Sequence, residues 1–173
     1  MPRRLFVGLM VSDEVRAAMG GYRRALVPLC EGKLYDPALY HLTLCFVGMV
    51  DEERIPALER VMDGINWQSF ALRLGEVGTF KGGSILWLGI ESSCYPLMKI
   101  QAMLSLALRN AGFALDAEAY VPHITLGRGM KRLPVVMPDP PTGCWRVDRL
   151  TLFESVRLDG ELCYRPIYEV MEG

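Results

Sequence analysis

The chain of 173 residues holds two histidines, and each opens the same short pattern, His41-Leu42-Thr43-Leu44 and His123-Ile124-Thr125-Leu126. With five threonines in the chain, two unrelated histidines would each carry Thr two places on with a chance of roughly one in a thousand. On a β-strand residues i and i+2 share a face, so each motif sets an imidazole and a hydroxyl on one side and two aliphatic side chains on the other. That is the pattern of a strand with one core face and one open face. Two such strands side by side would line one cleft.

A cleft with two imidazoles and two hydroxyls suits phosphodiester chemistry. A neutral histidine takes a proton from water, and a protonated one gives a proton to the leaving alkoxide. An ordinary histidine pKa near 6.5 lets both forms coexist at neutral pH. The hydroxyls of Thr43 and Thr125 can donate to non-bridging phosphate oxygens, where charge accumulates in the five-coordinate transition state. This scheme requires no metal and no cofactor.

Two plainer readings compete. A lone histidine in an apolar strand is commonly structural, yet a structural role gives two histidines no reason to share a threonine at the same offset. A two-histidine metal site would need further ligands, but no Asp, Glu or Cys stands at ligand spacing beside both, and Thr is a poor zinc ligand. Cys45 shares the nominal face of His41 and has no counterpart in the second motif.

With these motifs the chain resembles the 2H phosphoesterase superfamily, and within it the RNA 2′,3′-cyclic phosphodiesterases once called 2′-5′ RNA ligases. The likeness covers nearly the whole chain. It runs through an opening Arg4-Leu5-Phe6-Val7-Gly8-Leu9, then His41-Leu42-Thr43-Leu44-Cys45-Phe46-Val47-Gly48 and Val121-Pro122-His123-Ile124-Thr125-Leu126-Gly127-Arg128. A closing Leu152-Phe153-Glu154-Ser155 follows, with Gly160 and Tyr164 after it. One departure stands where the family commonly has Pro-Arg before a Leu-Trp strand and this chain has Gly83-Ser84-Ile85 before Leu86-Trp87.

The resemblance implies hydrolysis of RNA or oligonucleotide ends bearing a 2′,3′-cyclic phosphate to 2′-phosphate ends. His41 would protonate the departing ribose 3′-oxygen and His123 would activate water, with 2′-5′ ligation as the reverse reaction. It also implies an α+β, bilobal fold, two antiparallel sheets facing a central cleft with helices outside, formed by residues 1–173 as one domain. Arg128 matches the arginine after the family's second motif and would bind phosphate. Its parity, however, places it on the Leu126 face of a regular strand, so a bulge or strand end at Gly127 is needed to re-aim it; a surface or structural ion pair is the alternative. Lys131 and Arg132 extend this basic run and would guide an RNA end, unless they are simply a solvated loop.

Composition fits a compact enzyme. Half the residues are hydrophobic, enough to bury a core in a chain of this length. A net charge of −1 argues against a surface that coats long nucleic acids and favours a small RNA end. Five cysteines without a C-x-x-C spacing argue against a disulfide framework or zinc site and point to a reducing cytoplasm. The opening residues lack a signal-peptide pattern, and no stretch is long and apolar enough for a membrane span. The expectation is a cytoplasmic monomer without an obligatory protein partner.

The elements that must position the motifs follow from periodicity and punctuation. A strand at Leu5–Met10 leads to Ser12 as N-cap of a helix to about Leu29, loosened or bent at Gly20-Gly21. Asp51-Glu52-Glu53 opens a second helix to about Ile65. Phe70–Phe80 and Ile85–Ile90 read as strands about a turn at Gly82-Gly83. A third helix runs from Tyr95 to Ala111 and stops at Gly112; its methionines and leucines read as core. A proline-rich loop over Pro134–Pro141 is a candidate rim of the cleft. Strands near Arg146–Arg157 and Tyr164–Val170 flank a turn at Asp159-Gly160. The two histidines lie 123 − 41 = 82 residues apart, about half the chain, a weak internal echo.

Two other functions remain open at this level. The same four residues could act on another cyclic nucleotide, an ADP-ribose cyclic phosphate or a 2′-5′ oligonucleotide. A non-catalytic module could instead cradle an RNA end without turnover. Phe6, Phe46 and Tyr40 are candidates for a base-recognising wall.

Overall fold

The computed structural model describes residues 1–92 and 94–173. Strand β1 (Pro2–Met10) buries Leu5, Phe6, Val7 and Leu9 on both faces, as an interior strand must. Ser12 caps α1 (Asp13–Leu26), its Oγ accepting the Val15 N–H at 3.2 Å. Acidic residues in its first turn and Arg23 and Arg24 in its last complement the helix dipole. The helix runs unbroken through Gly20-Gly21 and ends at Leu26, earlier than Leu29. Pro37 packs beside Gly20.

Strand β2 (Glu31–Leu34) escapes the sequence pattern because its four residues hold one large apolar side chain, too few for alternation. A 3-10 turn at Pro37–Leu39 then delivers the chain into β3 (His41–Asp51). The expected second helix divides into a 3-10 turn, Glu52–Arg54, and α2 (Ile55–Asp63), with proline in its first turn. Strands β4 (Phe70–Phe80) and β5 (Ile85–Ile90) flank the turn that includes Gly82 and Gly83 at positive φ. Helix α3 (Tyr95–Asn110) stops before Gly112, whose φ of +88° lets the Phe113 N–H reach back to the Leu108 carbonyl.

The second motif opens β6 (His123–Arg132), followed by β7 (Cys144–Val147), β8 (Arg149–Leu158) and β9 (Glu161–Met171). The expected single strand near Arg146–Arg157 is thus two. β7 pairs with β4, whereas β8 pairs with β1 and β9, so the chain changes sheets at Asp148. Asp159 and Gly160 both have positive φ at the β8–β9 turn, as a tight hairpin requires.

All pairings are antiparallel. They form one sheet of order β3-β1-β8-β9 and another of order β2-β6-β5-β4-β7, with β3 and β6 lying against one another where the sheets meet. Helices cover the sheets in exchanged fashion. Helix α1 follows β1 of the first sheet, yet Val15 sits against Gly143 beside Leu74 of β4, and the Tyr22 hydroxyl donates to the Pro138 carbonyl. Helix α3 follows β5 of the second sheet and packs on β3, where Gln101 donates to the Leu44 carbonyl. Each motif strand is pinned by its aliphatic face: Leu42, Leu44, Ile124 and Leu126 are all buried, each worth about 1.5–3 kcal/mol of transfer free energy. The fold is the α+β arrangement of two antiparallel sheets with a few covering helices.

Candidate active site

The strands that carry the motifs present them as alternation demands. His41 and Thr43 are partly buried on the open face of β3 while Leu42 and Leu44 are buried, and His123 and Thr125 repeat this on β6. All four, with Arg128, line one cavity of about 610 Å³. Both imidazoles are held alike. His41 Nδ1 lies 2.8 Å from the Leu39 carbonyl and His123 Nδ1 lies 2.7 Å from the Val121 carbonyl. A carbonyl only accepts, so each ring carries its proton on Nδ1, which leaves Nε2 unprotonated in the neutral ring. His41 Nε2 lies 2.9 Å from Thr43 Oγ1, whose hydroxyl donates to it in the neutral ring.

Aromatic rings fix the imidazoles from the sides. Phe6 lies 4.7 Å and Tyr164 4.6 Å from His41, centroid to centroid. Phe80 meets His123 edge-on at 4.9 Å and Trp87 lies 5.9 Å away. The Trp87 ring fits because Gly78 and Gly89 flank it: a Cβ on Gly78 would fall 2.2 Å from that ring. These apolar surroundings disfavour the charged imidazolium. Burial pushes His41 down to about 4, with His123 and Arg128 adding to the shift and the Leu39 carbonyl opposing it. Burial likewise lowers His123, with Arg128 adding to it and the Val121 carbonyl opposing. Both shifts favour the neutral imidazole.

Arg128 reaches this face through an irregularity in the ladder. β5 pairs Leu86 with Gly127 and then Trp87 with Thr125, so Leu126 is an extra residue, a β-bulge. The bulge sits one residue before the expected Gly127, and it turns Arg128 into the cavity. The same device recurs in β3. β1 pairs Val7 with Cys45 and Gly8 with Thr43, leaving Leu44 as the extra residue. Cys45 is consequently not on the His41 face: it is buried against α3, its Sγ 3.7 Å from Ser105 Oγ. Phe46 takes the cavity-facing place instead.

The three aromatic candidates part company. Phe46 is 43% exposed, with the Arg4 guanidinium 4.7 Å from its ring centroid. Phe6 lines the cavity but is almost wholly buried as backing for His41. Tyr40 is buried away from the cleft, its hydroxyl donating to the Tyr35 carbonyl. Sequence reasoning missed Arg4, Tyr35 and Arg157, which also line the cavity, because they come from three separate segments without a shared motif. Lys131 and Arg132 lie within β6, not in a loop, and do not line it. Ile85, at the departure from the family pattern, pairs directly with Arg128.

Three arginines and no carboxylate line this cavity, which suits an anionic substrate. A larger cavity of about 810 Å³ adjoins Trp87 and Pro122, but it lacks the motif residues and includes Glu76 and Glu91, which repel phosphate. The proline-rich segment borders that larger cavity through Pro140 and Pro141, rather than the histidine cleft. Among the described residues no group of three or more His, Cys, Asp or Glu side chains is arranged to hold a metal ion, and no helix is long and apolar enough to cross a membrane.

Comparison with known proteins agrees with this architecture. Residues 11–159 match the model of the 2′-5′ RNA ligase superfamily. The chain is 27% identical over 166 residues to the RNA 2′,3′-cyclic phosphodiesterase of Escherichia coli K12, covering 96% of this chain and 94% of that protein. It is 29% identical over 178 residues to the protein of that name from Thermotoga maritima, with 96% and 94% covered. The crystal structure of E. coli LigT complexed with 3′-AMP superposes with a TM-score of 0.88 at 27% identity, covering 99% of both chains. The expected 2H phosphoesterase fold is thus met, and the chain belongs to the 2′-5′ RNA ligase superfamily.

Proposed function

We propose that this protein hydrolyses the 2′,3′-cyclic phosphate at an RNA or oligonucleotide end to a 2′-phosphate and a free 3′-hydroxyl. The observation that carries the reading is the matched pair of imidazoles. Each has its Nδ1–H held by the carbonyl two residues earlier, and both line one arginine-rich cavity. The relatives named RNA 2′,3′-cyclic phosphodiesterase supply the substrate class.

In this scheme the water oxygen attacks phosphorus opposite the ribose 3′-oxygen, and His123 Nε2 takes the water proton. The P–O3′ bond breaks as His41 Nε2 passes its proton to the departing 3′-oxygen. The hydroxyls of Thr43 and Thr125 and the Arg128 guanidinium stabilise the non-bridging oxygens as charge builds there. His41 reaches its protonated form because the substrate phosphate is an anion beside it, which favours imidazolium. Reversal with a 5′-hydroxyl in place of water gives 2′-5′ ligation by the same groups.

The test is hydrolysis, in EDTA, of an oligonucleotide ending in a 2′,3′-cyclic phosphate, with the position of the product phosphate assigned. Wild type should yield a 2′-phosphate, while His41→Ala and His123→Ala should each lose about 10²–10⁴-fold in kcat, the usual worth of positioned acid or base catalysis. A 3′-phosphate product, or full activity in either variant, would overturn the scheme. Turnover only of other cyclic or 2′-5′-linked substrates would reassign the leaving group.

A further inference from the structure

The catalytic cleft opens into a second cavity of about 610 Å³, and the two share Arg128 and Arg157 in their walls. The second cavity adds Lys33 and Arg23, giving four cations against the carboxylates of Asp36 and Glu161. Asp36 Oδ1 accepts the Ala38 N–H at 2.8 Å and keeps its charge, and the lining remains net cationic. Lys33 and Arg128 are direct partners across the β2–β6 ladder. Like charges directly opposite one another disfavour strand pairing. Among the described residues neither is in an ion pair. Both side chains are exposed, so their unpaired charged heads are open to an anion from solvent.

From this we propose that the Lys33–Arg128–Arg157 groove holds the penultimate phosphodiester of the substrate, so the strand leaves the cleft past β2 and the β8–β9 hairpin. The inference rests on the phosphodiesterase reading. A cyclic phosphate ends the strand at its 3′ side, so every other phosphate of the substrate lies on the 5′ side and a basic cavity adjoining the cleft is placed to receive the next one. The larger cavity beyond Trp87 shares no wall residue with the cleft, and its Glu76 and Glu91 repel phosphate. Arg128, in the wall of both cavities, then stands between the scissile phosphate and the next one, and Lys33 contacts only the latter. The chain selects oligonucleotide ends over mononucleoside cyclic phosphates, with no reading of sequence.

The experiment compares kcat/KM for a trinucleotide 2′,3′-cyclic phosphate and a nucleoside 2′,3′-cyclic phosphate, in wild type, Lys33→Ala and Lys33→Glu. Wild type should favour the trinucleotide by at least about tenfold, the worth of one charge-assisted contact. Lys33→Ala should shrink that ratio and Lys33→Glu should abolish it. A wild-type ratio near one, or a ratio unmoved by both variants, overturns the groove. Binding of a 5′-labelled trinucleotide 2′-phosphate, followed by anisotropy against salt, decides independently of turnover. The slope of log affinity against log salt should fall by about 0.7 on removal of the Lys33 contact. If wild type hydrolyses neither substrate, the proposed function fails. The groove then stands on a length-dependent affinity weakened by Lys33→Glu, and falls without one.

Discussion

Phe46 and Arg128 occupy equivalent places in the two halves of the molecule. Each stands five residues after its motif histidine, and each is turned into the cavity by a bulge at the leucine that follows the motif threonine, Leu44 or Leu126. Without the bulges, strand parity would send both side chains toward the core. The same backbone device thus delivers an aromatic ring from one sheet and a guanidinium from the other, an arrangement suited to a nucleobase and the phosphate joined to it.

That division of labour separates two variants. Phe46→Ala should weaken substrate binding about 5–100-fold, the range for loss of one base-stacking ring, with the larger effect on KM. Arg128→Ala should lower kcat/KM by about 10²–10³-fold through loss of transition-state charge stabilisation. Arg128→Lys should recover only part of this, because an ammonium lacks the planar fork. Steady-state kinetics on one cyclic-phosphate oligonucleotide would show the split, and an Arg128→Ala effect confined to KM would count against its role at the scissile phosphate.

The pH profile carries a signed prediction. In the free protein burial holds His41 down at about 4 and lowers His123 as well. A bound phosphate anion favours the imidazolium and so raises the His41 pKa. The proton donor is lost above its pKa, so the basic limb of kcat should lie at higher pH than that of kcat/KM. Coincident basic limbs would mean that substrate does not protonate His41. The two limbs belong to the pair of histidines together and should be fitted as such.

Gly78 offers a test of the packing behind His123. A Cβ there would fall 2.2 Å from the Trp87 ring, which itself lies 5.9 Å from the His123 ring. Gly78→Ala should cost about 1–3 kcal/mol in stability, as overpacking does. It should also lower kcat at temperatures where the variant remains folded. Unchanged thermal unfolding and unchanged kcat together would show that Trp87 can move without disturbing His123.

Glu154 bears on stability alone. Its carboxylate accepts from Arg3 at 2.9 and 2.8 Å and from Arg165 at 2.6 Å, and these contacts hold its pKa down at about 2. A carboxylate with a lowered folded-state pKa stabilises the fold above its ordinary value near 4.5, and the contribution disappears as pH falls towards 2. Glu154→Gln should therefore destabilise by about 2 kcal/mol at pH 7, the scale of charge-assisted hydrogen bonds. The gap from wild type should close in denaturant melts as pH drops through that window. A gap that persists at pH 2 would assign the loss to packing instead.

The amino-acid sequence alone specifies the four motif residues and the faces on which they lie. A two-residue period with buried aliphatics at positions 42, 44, 124 and 126 can be satisfied only by strands with one wet side. It also announced the Ser12 cap, the Gly112 stop and the Asp159-Gly160 turn, because capping and positive φ are local properties of residue type. The remaining features depend on contacts between distant segments. Whether Cys45 or Phe46 faces the cleft depends on an extra residue in a ladder between β1 and β3, and no periodicity within β3 encodes its partner's register. The sheet change at Asp148 and the short β2 edge follow from which strands are free to accept hydrogen bonds. Arg4, Tyr35 and Arg157 reach the motif residues only after β1, β2 and the β8–β9 hairpin have closed around one cavity, and that convergence is a property of the fold.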